Sequence, residues 1–156
     1  MSGLDISQAV VKYGEKIAVD RVNISAAPGE VVALLGPSGS GKSSLLRAVL
    51  GLEPIADGAI SWDGVDLSRV PTHKRGFGLM FQEGQLFGYQ NVAGNVAYGL
   101  RAAGVDAQTR EKRVTELLDL VGLSGYADRQ ITQLSGGEAQ RVALARSLAP
   151  KPKLLG

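Results

Sequence analysis

The sequence contains no cysteine among its 156 residues. Disulfide bonds and thiol-ligated metal sites are therefore excluded, and the composition is compatible with a reducing compartment. No apolar run approaches the roughly 18 residues that a membrane helix needs. The first residues also lack the basic and apolar segments of a secretory leader. We therefore expect a chain that is neither exported nor membrane-spanning.

Blocks of like charge are missing as well. The net charge is only +2, and without a run of five or six like charges the sequence does not indicate nucleic acid as a partner. Apolar residues make up 44% and charged residues 21% of the chain, as is typical of a soluble globular protein. The length predicts one folded domain.

A glycine-rich motif, GPSGSGKS, occupies residues 36–43 and fits the pattern G-x-x-x-x-G-K-[ST]. In this pattern loop amides cradle phosphates, Lys42 reaches the outer phosphates of a nucleotide and Ser43 meets Mg²⁺. The glycines permit a tight turn and close approach of phosphate. The candidate nucleotide-binding residues of this loop are Gly36, Pro37, Ser38, Gly39, Ser40, Gly41, Lys42, Ser43 and Ser44.

The surroundings of this loop decide against a coincidental turn rich in glycine and serine. Residues 30–35 are continuously apolar after Glu30 and predict a buried strand before the loop. Leu45, Leu46, Val49 and Leu50 follow at helical spacing. The phosphate-binding motif requires this order of strand, loop and helix.

A second motif, LSGGE, spans residues 134–138. Its ordinary structural interpretation is a capping box, in which Ser135 and Glu138 satisfy the first amides of a helix. Gly136 and Gly137 are poor helix formers, however, at a cost of roughly 0.8–1 kcal/mol each relative to alanine. Free amides at a helix start bind anions, so we interpret residues 135–138 as a second phosphate site.

The remaining pattern predicts a mixed sheet followed by helices. Asp63 and Gly64 predict a two-residue hairpin turn. Asp106 is expected to be the N-cap of a helix, and Gly122 is expected to end that helix. Besides residues 30–35, the predicted strands are residues 4–13, 22–26, 59–62, 65–67 and 76–81, and the predicted helical regions are residues 91–123 and 135–148.

Together, the two motifs and the stretch from Leu134 to Arg141 resemble the ATP-binding subunit of an ABC transporter. The resemblance implies an α/β fold with a P-loop NTPase (RecA-like) core, an N-terminal antiparallel β subdomain and an inserted helical subdomain. Its expected divisions are residues 1–85 for the β subdomain and core, 86–148 for the helical subdomain with the signature helix, and 149–156 for the start of a further strand.

The resemblance also assigns roles to single residues. Gln82 matches the glutamine that contacts Mg²⁺ and the attacking water, and it is the catalytic candidate in this sequence. Tyr13 matches the aromatic residue that stacks on adenine, although a strand aromatic packed on the sheet is the alternative. Ser135 and Gly137 are expected to contact the γ-phosphate of ATP held by another subunit.

As an ABC-type ATPase, the protein is expected to energise solute import by ATP-driven head-to-tail dimerisation at the cytoplasmic face of a bacterial membrane. Its expected partners are permease subunits, a second copy or homologous ATPase subunit, and indirectly a periplasmic or lipid-anchored solute-binding protein. ATP and Mg²⁺ are the expected cofactors.

The resemblance ends with residues 153–156, which begin the strand that carries the catalytic carboxylates in the family. On this basis the fold is expected to be incomplete at the C-terminus and the 156-residue segment to lack hydrolysis. Two alternatives stay open at this point. One is a nucleotide-binding fragment without turnover, and the other is a soluble ABC ATPase of DNA repair or translation.

Overall fold

The computed structural model describes residues 3–81 and 83–156 and places a four-stranded antiparallel sheet at the start of the chain. The strand order is β2-β1-β3-β4. These strands are β1 (Leu4–Tyr13), β2 (Lys16–Ala26), β3 (Asp57–Trp62) and β4 (Val65–Asp66). The predicted first strand is confirmed, and the predicted second strand begins six residues earlier than residue 22.

Alternation of apolar and polar residues explains how β1 faces the interior. Leu4 and Ile6 are buried, with 8% and 3% of their surface exposed, because side chains two residues apart share one face of a strand. A register irregularity follows, where Gln8 has a left-handed φ of 50°. The burial pattern then changes, and Ala9 and Val10 are both buried.

The hairpin predicted at Asp63 and Gly64 is confirmed. Trp62 pairs with Val65 across the turn, and the two turn residues have φ values of 50° and 79°. Positive φ at both central positions is the geometry of a type I′ turn, whose twist matches that of the flanking strands. The backbone N–H of Gly3 also donates to the Asp63 carboxylate at 2.6 Å, so Asp63 links the hairpin turn to the start of the chain's first strand.

Helix α1 (Lys42–Leu50) follows the glycine-rich loop, as predicted. It buries Leu45, Ala48, Val49 and Leu50, so three of the four apolar residues expected from the sequence face the interior, while Leu46 is half-buried. A short helix, α2 (Thr72–Arg75), comes after the sheet.

The predicted buried strand at residues 30–35 is wrong, so of the expected order of strand, loop and helix the structure shows the loop and the helix without the strand. The chain has no regular strand there, and Val31 and Leu35 expose 94% and 90% of their surface. A strand needs ladder partners, and in the part of the chain that the structure describes, no strand pairs with this run. The turn predicted before it is present, since the N–H of Glu30 donates to the Ala27 carbonyl at 3.0 Å.

Contacts divide the described residues into two units, one up to Gly76 and the other from Phe77 to Gly156. The second unit is mainly helical and also contains a parallel pair of two-residue strands. Its elements are β5 (Phe77–Gly78), α3 (Val92–Val96), α4 (Tyr98–Ala102), α5 (Ala107–Leu120), α6 (Gly136–Leu148) and β6 (Leu154–Leu155). No helix within the described ranges is long and apolar enough to cross a membrane.

The helix boundaries of the second unit agree with the sequence signals. The Asp106 carboxylate accepts a hydrogen bond from the Thr109 N–H at 2.9 Å, which confirms the predicted N-cap of α5. Gly122 has a φ of 71° just after the helix end. The predicted strand at residues 76–81 is only partly correct, because regular pairing is limited to Phe77–Gly78.

One apolar cluster forms the core of the second unit. It is built from α3, α5 and α6, whose buried side chains are Val92, Val96, Val114, Leu117, Leu118, Val142 and Ala145, together with Ala97, Leu123 and Ala149 from adjoining segments. Asn95 is completely buried beside them, and its side-chain amide donates to the carbonyls of Phe87 and Asn91 at 3.1 and 3.0 Å. Its oxygen accepts from the Phe87 N–H at 2.8 Å, so this polar side chain is well satisfied.

Candidate nucleotide-binding site

The glycine-rich loop owes its shape to glycines in left-handed conformations. Gly39 and Gly41 have φ values of 81° and 89°, which L-residues with side chains rarely adopt. Gly41 also lies directly against β2, where an added Cβ would come within 2.1 Å of the Ala18 carbonyl oxygen. The start of α1 therefore lies closer to β2 than any other residue would allow.

The Lys42 ammonium folds back over this loop. Its Nζ donates to the carbonyls of Gly36 and Pro37 at 2.8 and 2.7 Å and to the Ser40 hydroxyl at 3.1 Å. These three contacts hold the positive charge over residues 36–40, all of which are exposed to solvent, Ser38 included. A phosphate entering the loop would therefore meet a full charge that is already in place.

The first turn of α1 provides free donors beside Lys42. Among the described residues no side chain caps this helix start, and its first turn contains no acidic residue. Ser43 is exposed at this turn. Uncapped amides and the positive end of the helix dipole favour an anion at this position.

Tyr13 lies next to the same turn. Its hydroxyl donates to the Ser44 Oγ at 3.3 Å, and 43% of the tyrosine surface is exposed. The structure therefore brings Tyr13 and the phosphate loop together within the first unit. An exposed ring at the end of a strand is available to stack on a flat base.

An open cleft of about 540 Å³ adjoins the loop. Most of its lining is apolar, from β2, α1 and the run before the loop, while Asp20 and Lys42 provide the charged groups. The cleft gives a ligand access to the loop from this side.

The second predicted motif forms the start of α6. The Ser135 hydroxyl accepts from the Glu138 N–H at 3.2 Å, and the Glu138 carboxylate accepts from the Ser135 N–H at 2.8 Å. The capping box is thus present. The hydrogen bond from the Ser135 backbone, with a second one from the Tyr126 hydroxyl, lowers the pKa of the Glu138 carboxyl below its ordinary value.

The two glycines of this motif are not required by the helix. Neither Gly136 nor Gly137 has a positive φ, and a Cβ at either position would meet no described atom within 4 Å. Alanine would fit and would favour the helix by up to about 1 kcal/mol at each position. The local structure therefore offers no steric or backbone reason for glycine at either position.

Gln82, the catalytic and Mg²⁺-binding candidate, lies outside the described residues. The segment after it is held by a residue that the sequence reasoning missed. Arg146 of α6 donates to the Gly84 and Gln85 carbonyls at 2.8 and 3.0 Å, and its guanidinium lies 5.4 Å from the centre of the Phe87 ring. Burial lowers the pKa of Arg146. Its position in the last turn of α6 is visible in the sequence, but its backbone partners, about sixty residues away, are not.

Comparison with known proteins agrees with this geometry. A glycine-rich loop that leads into a helix with open amides defines the class of phosphate-loop nucleotide-binding domains. The family model described as "ABC transporter" matches residues 19–155. The chain belongs to the ABC transporter family, in which it forms an α/β ATP-binding domain of the P-loop NTPase class.

The relatives carry import names. The chain is 55% identical over 152 residues to the Fe(3+) ions import ATP-binding protein FbpC of Streptomyces avermitilis, covering 97% of this chain and 44% of the relative. It is 46% identical over 152 residues to the sulfate/thiosulfate import ATP-binding protein CysA of Nocardia farcinica, covering 97% and 46% respectively. The chain thus spans somewhat less than half the length of these curated relatives.

Proposed function

We propose that the chain is the nucleotide-binding part of an ATPase subunit that energises solute import across a bacterial membrane. The observation that carries this proposal is the Lys42 ammonium, held over an exposed glycine-rich loop at the uncapped start of α1. The import names of the relatives support transport and do not favour a role in DNA repair or translation.

The residues present fit ATP as the ligand. Gly36, Gly39 and Gly41 keep side chains away from the loop amides, and Lys42 provides a charge for the outer phosphates. Charge-assisted hydrogen bonds of this kind contribute roughly 1.5–3 kcal/mol each. Tyr13, exposed beside the first turn, would hold the adenine by stacking.

Mg²⁺ would be held by Ser43 together with the phosphates, and by Gln82. Within residues 3–81 and 83–156, no group of three or more histidine, cysteine or acidic side chains could hold a metal ion. This fits the usual behaviour of Mg²⁺, which binds through substrate phosphates, waters and one or two protein ligands. When bound, the ion neutralises charge on the phosphates.

The start of α6 would contact a nucleotide on a second subunit. Ser135 and Gly137 provide a hydroxyl and an open amide for the γ-phosphate, while Gly136 leaves room for its approach and Glu138 holds the helix start. The proposed assembly is a head-to-tail pair, with a second copy or a homologous ATPase subunit, on permease subunits at the cytoplasmic face of the membrane. A solute-binding protein would deliver the solute and, with the permease, select it.

Titration with a fluorescent ATP analogue tests the nucleotide site. Lys42→Ala removes the charge over the loop and is expected to weaken ATP binding at least tenfold, about 1.4 kcal/mol. Lys112→Ala, an exposed lysine on α5, is the matched control and should bind like the unmodified protein. Equal affinity in the two variants would refute the assignment of residues 36–43.

Sedimentation of the full-length protein with a non-hydrolysable ATP analogue tests the second phosphate site. Gly137→Asp places a negative charge at the α6 amides and should abolish ATP-dependent dimerisation while leaving nucleotide binding to the monomer nearly intact. Gly88→Asp is the control, because Gly88 also has open space around it and no positive φ. A Gly137→Asp variant that still dimerised would place the contact elsewhere.

A further inference from the structure

Arg75 makes an unusual set of contacts in the first unit. This half-buried side chain donates hydrogen bonds to four backbone carbonyls. Its two terminal nitrogens reach Ala48 at 3.1 Å, Val49 at 2.7 Å and Leu67 at 2.8 Å, and its Nε reaches Val70 at 2.9 Å. The guanidinium therefore joins the last turn of α1 to the segment that follows β4.

Two of these carbonyls belong to the end of a helix. The last four carbonyls of any helix lack partners within it, and Ala48 and Val49 lie in this stretch of α1. The Ala48 carbonyl also accepts from the Gly51 N–H at 3.0 Å, so Arg75 adds a second hydrogen bond there. Gly51 ends the helix in a left-handed turn, and a Cβ there would come within 2.7 Å of the Arg75 guanidinium. Thr72 strengthens the junction, since its hydroxyl donates to the Gly51 carbonyl at 2.8 Å.

The other end of α1 carries the candidate phosphate-binding groups. Lys42 and Ser43 lie in its first turn, and Gly41 packs against the Ala18 carbonyl of β2. A helix of nine residues is marginal unless tertiary contacts hold it. Fixing α1 at both ends therefore determines where its first-turn groups lie.

We propose that Arg75 is a positioning residue for nucleotide binding, which holds the far end of α1 and thereby keeps Lys42 and the first-turn amides in place for phosphate. This inference rests on the proposed function, because it needs the loop at residues 36–43 to bind nucleotide. The guanidinium acts through the backbone of α1 and does not touch the ligand.

Distance separates this role from direct attraction between Arg75 and phosphate. The two α1 carbonyls that it binds lie six and seven residues beyond Lys42, or about 9–10.5 Å along the helix axis at 1.5 Å per residue. Salt screens charges over about 8 Å under physiological conditions. Loss of the Arg75 charge alone would therefore change phosphate binding little.

The test compares Arg75→Ala and Arg75→Lys with the matched controls Arg69→Ala and Arg69→Lys. Arg69 is exposed on the same segment. Binding of a fluorescent ATP analogue is measured over a range of salt concentrations, at a temperature where circular dichroism shows each variant folded. Urea unfolding gives the stability of each variant separately. The Arg75→Lys variant keeps the positive charge, but one ammonium cannot reach all four carbonyls. It therefore tests the inference if the alanine variant does not fold.

Arg75→Lys and Arg75→Ala are both expected to weaken ATP binding at least fivefold in the folded protein. The dependence of affinity on salt should stay as in the unmodified chain, whereas Lys42→Ala should reduce it. Arg75 variants that are less stable but bind ATP with unchanged affinity would overturn the inference, and so would a fall in the salt dependence. If the unmodified chain and the Arg69 controls do not bind ATP either, the proposed function itself fails.

Discussion

The contact between Gly41 and β2 leads to a quantitative prediction. Gly39 and Gly41 have nearly the same left-handed φ, but a Cβ at Gly39 would meet no described atom within 4 Å, whereas one at Gly41 would lie 2.1 Å from the Ala18 carbonyl oxygen. The two alanine variants therefore share the backbone strain and differ in the contact. The difference between their losses of unfolding free energy therefore measures the cost of the close contact between α1 and the sheet.

The strain alone costs about 1–2 kcal/mol for a residue with a side chain in the left-handed region. This is the expected loss of unfolding free energy for Gly39→Ala. At Gly41 the helix or β2 must also shift, and overpacking of this kind costs about 1–3 kcal/mol more. Gly41→Ala is therefore expected to lose about 2–5 kcal/mol in total.

Urea unfolding followed by circular dichroism measures both losses, and titration with an ATP analogue measures the consequence for the loop. We expect Gly41→Ala to be less stable than Gly39→Ala and, where folded, to bind ATP more weakly because α1 has moved from β2. Equal stability of the two variants would show that α1 or β2 can shift away from the added Cβ at no cost in free energy, and the reasoning from the close contact would then be wrong.

Three further predictions concern the second unit. Because the folded-state pKa of Glu138 is lowered, its ionised form stabilises the fold above the ordinary pKa value of 4.5, and this contribution disappears as the pH falls through the folded-state pKa. In urea titrations, the stability difference between the unmodified chain and Glu138→Gln should therefore shrink on acidification. A difference that stays constant with pH would contradict the cause given for the shift. Gly137→Ala should raise the free energy of unfolding by up to about 1 kcal/mol. It should also weaken ATP-dependent dimerisation of the full-length protein, as measured by sedimentation. An unchanged free energy of unfolding would mean that the backbone at residue 137 is not freely helical. Asn95→Ala should cost about 1–3 kcal/mol for each buried backbone group left unpaired. The loss is measured by urea unfolding against Gln108→Ala, which removes an exposed amide on α5, and a loss no larger than in that control would count against the buried amide.

Local chemistry explains which parts of the fold the sequence predicts. The N-cap at Asp106, the capping box of Ser135 and Glu138, and the hairpin at residues 63–64 all depend on residues within four positions of one another. Their partners are visible in the sequence itself, and the structure confirms each of them.

Strand pairing and long-range hydrogen bonds were less predictable. Residues 30–35 have the composition of a buried strand, yet burial and ladder pairing depend on distant segments that composition does not reveal. The sequence does not indicate the contacts of Arg75 and Arg146 for a similar reason, since arginine bound to backbone carbonyls leaves no signature in the partner residues. The motif identifies the side chains of the loop at residues 36–43 as candidates, and their role in binding nucleotide stays a prediction.

The exposed run at residues 31–35 has a practical consequence for work on the loop beside it. Val31 and Leu35 present almost their whole surface to water, so copies of the chain should attract one another as the concentration rises. Sulfate and phosphate salts strengthen such attraction, and these anions also suit the uncapped start of α1. A buffer containing either salt would thus have two effects at once. It would promote association of the chains, and its anion would compete with nucleotide for the loop at residues 36–43. Chloride buffers at low protein concentration avoid both effects.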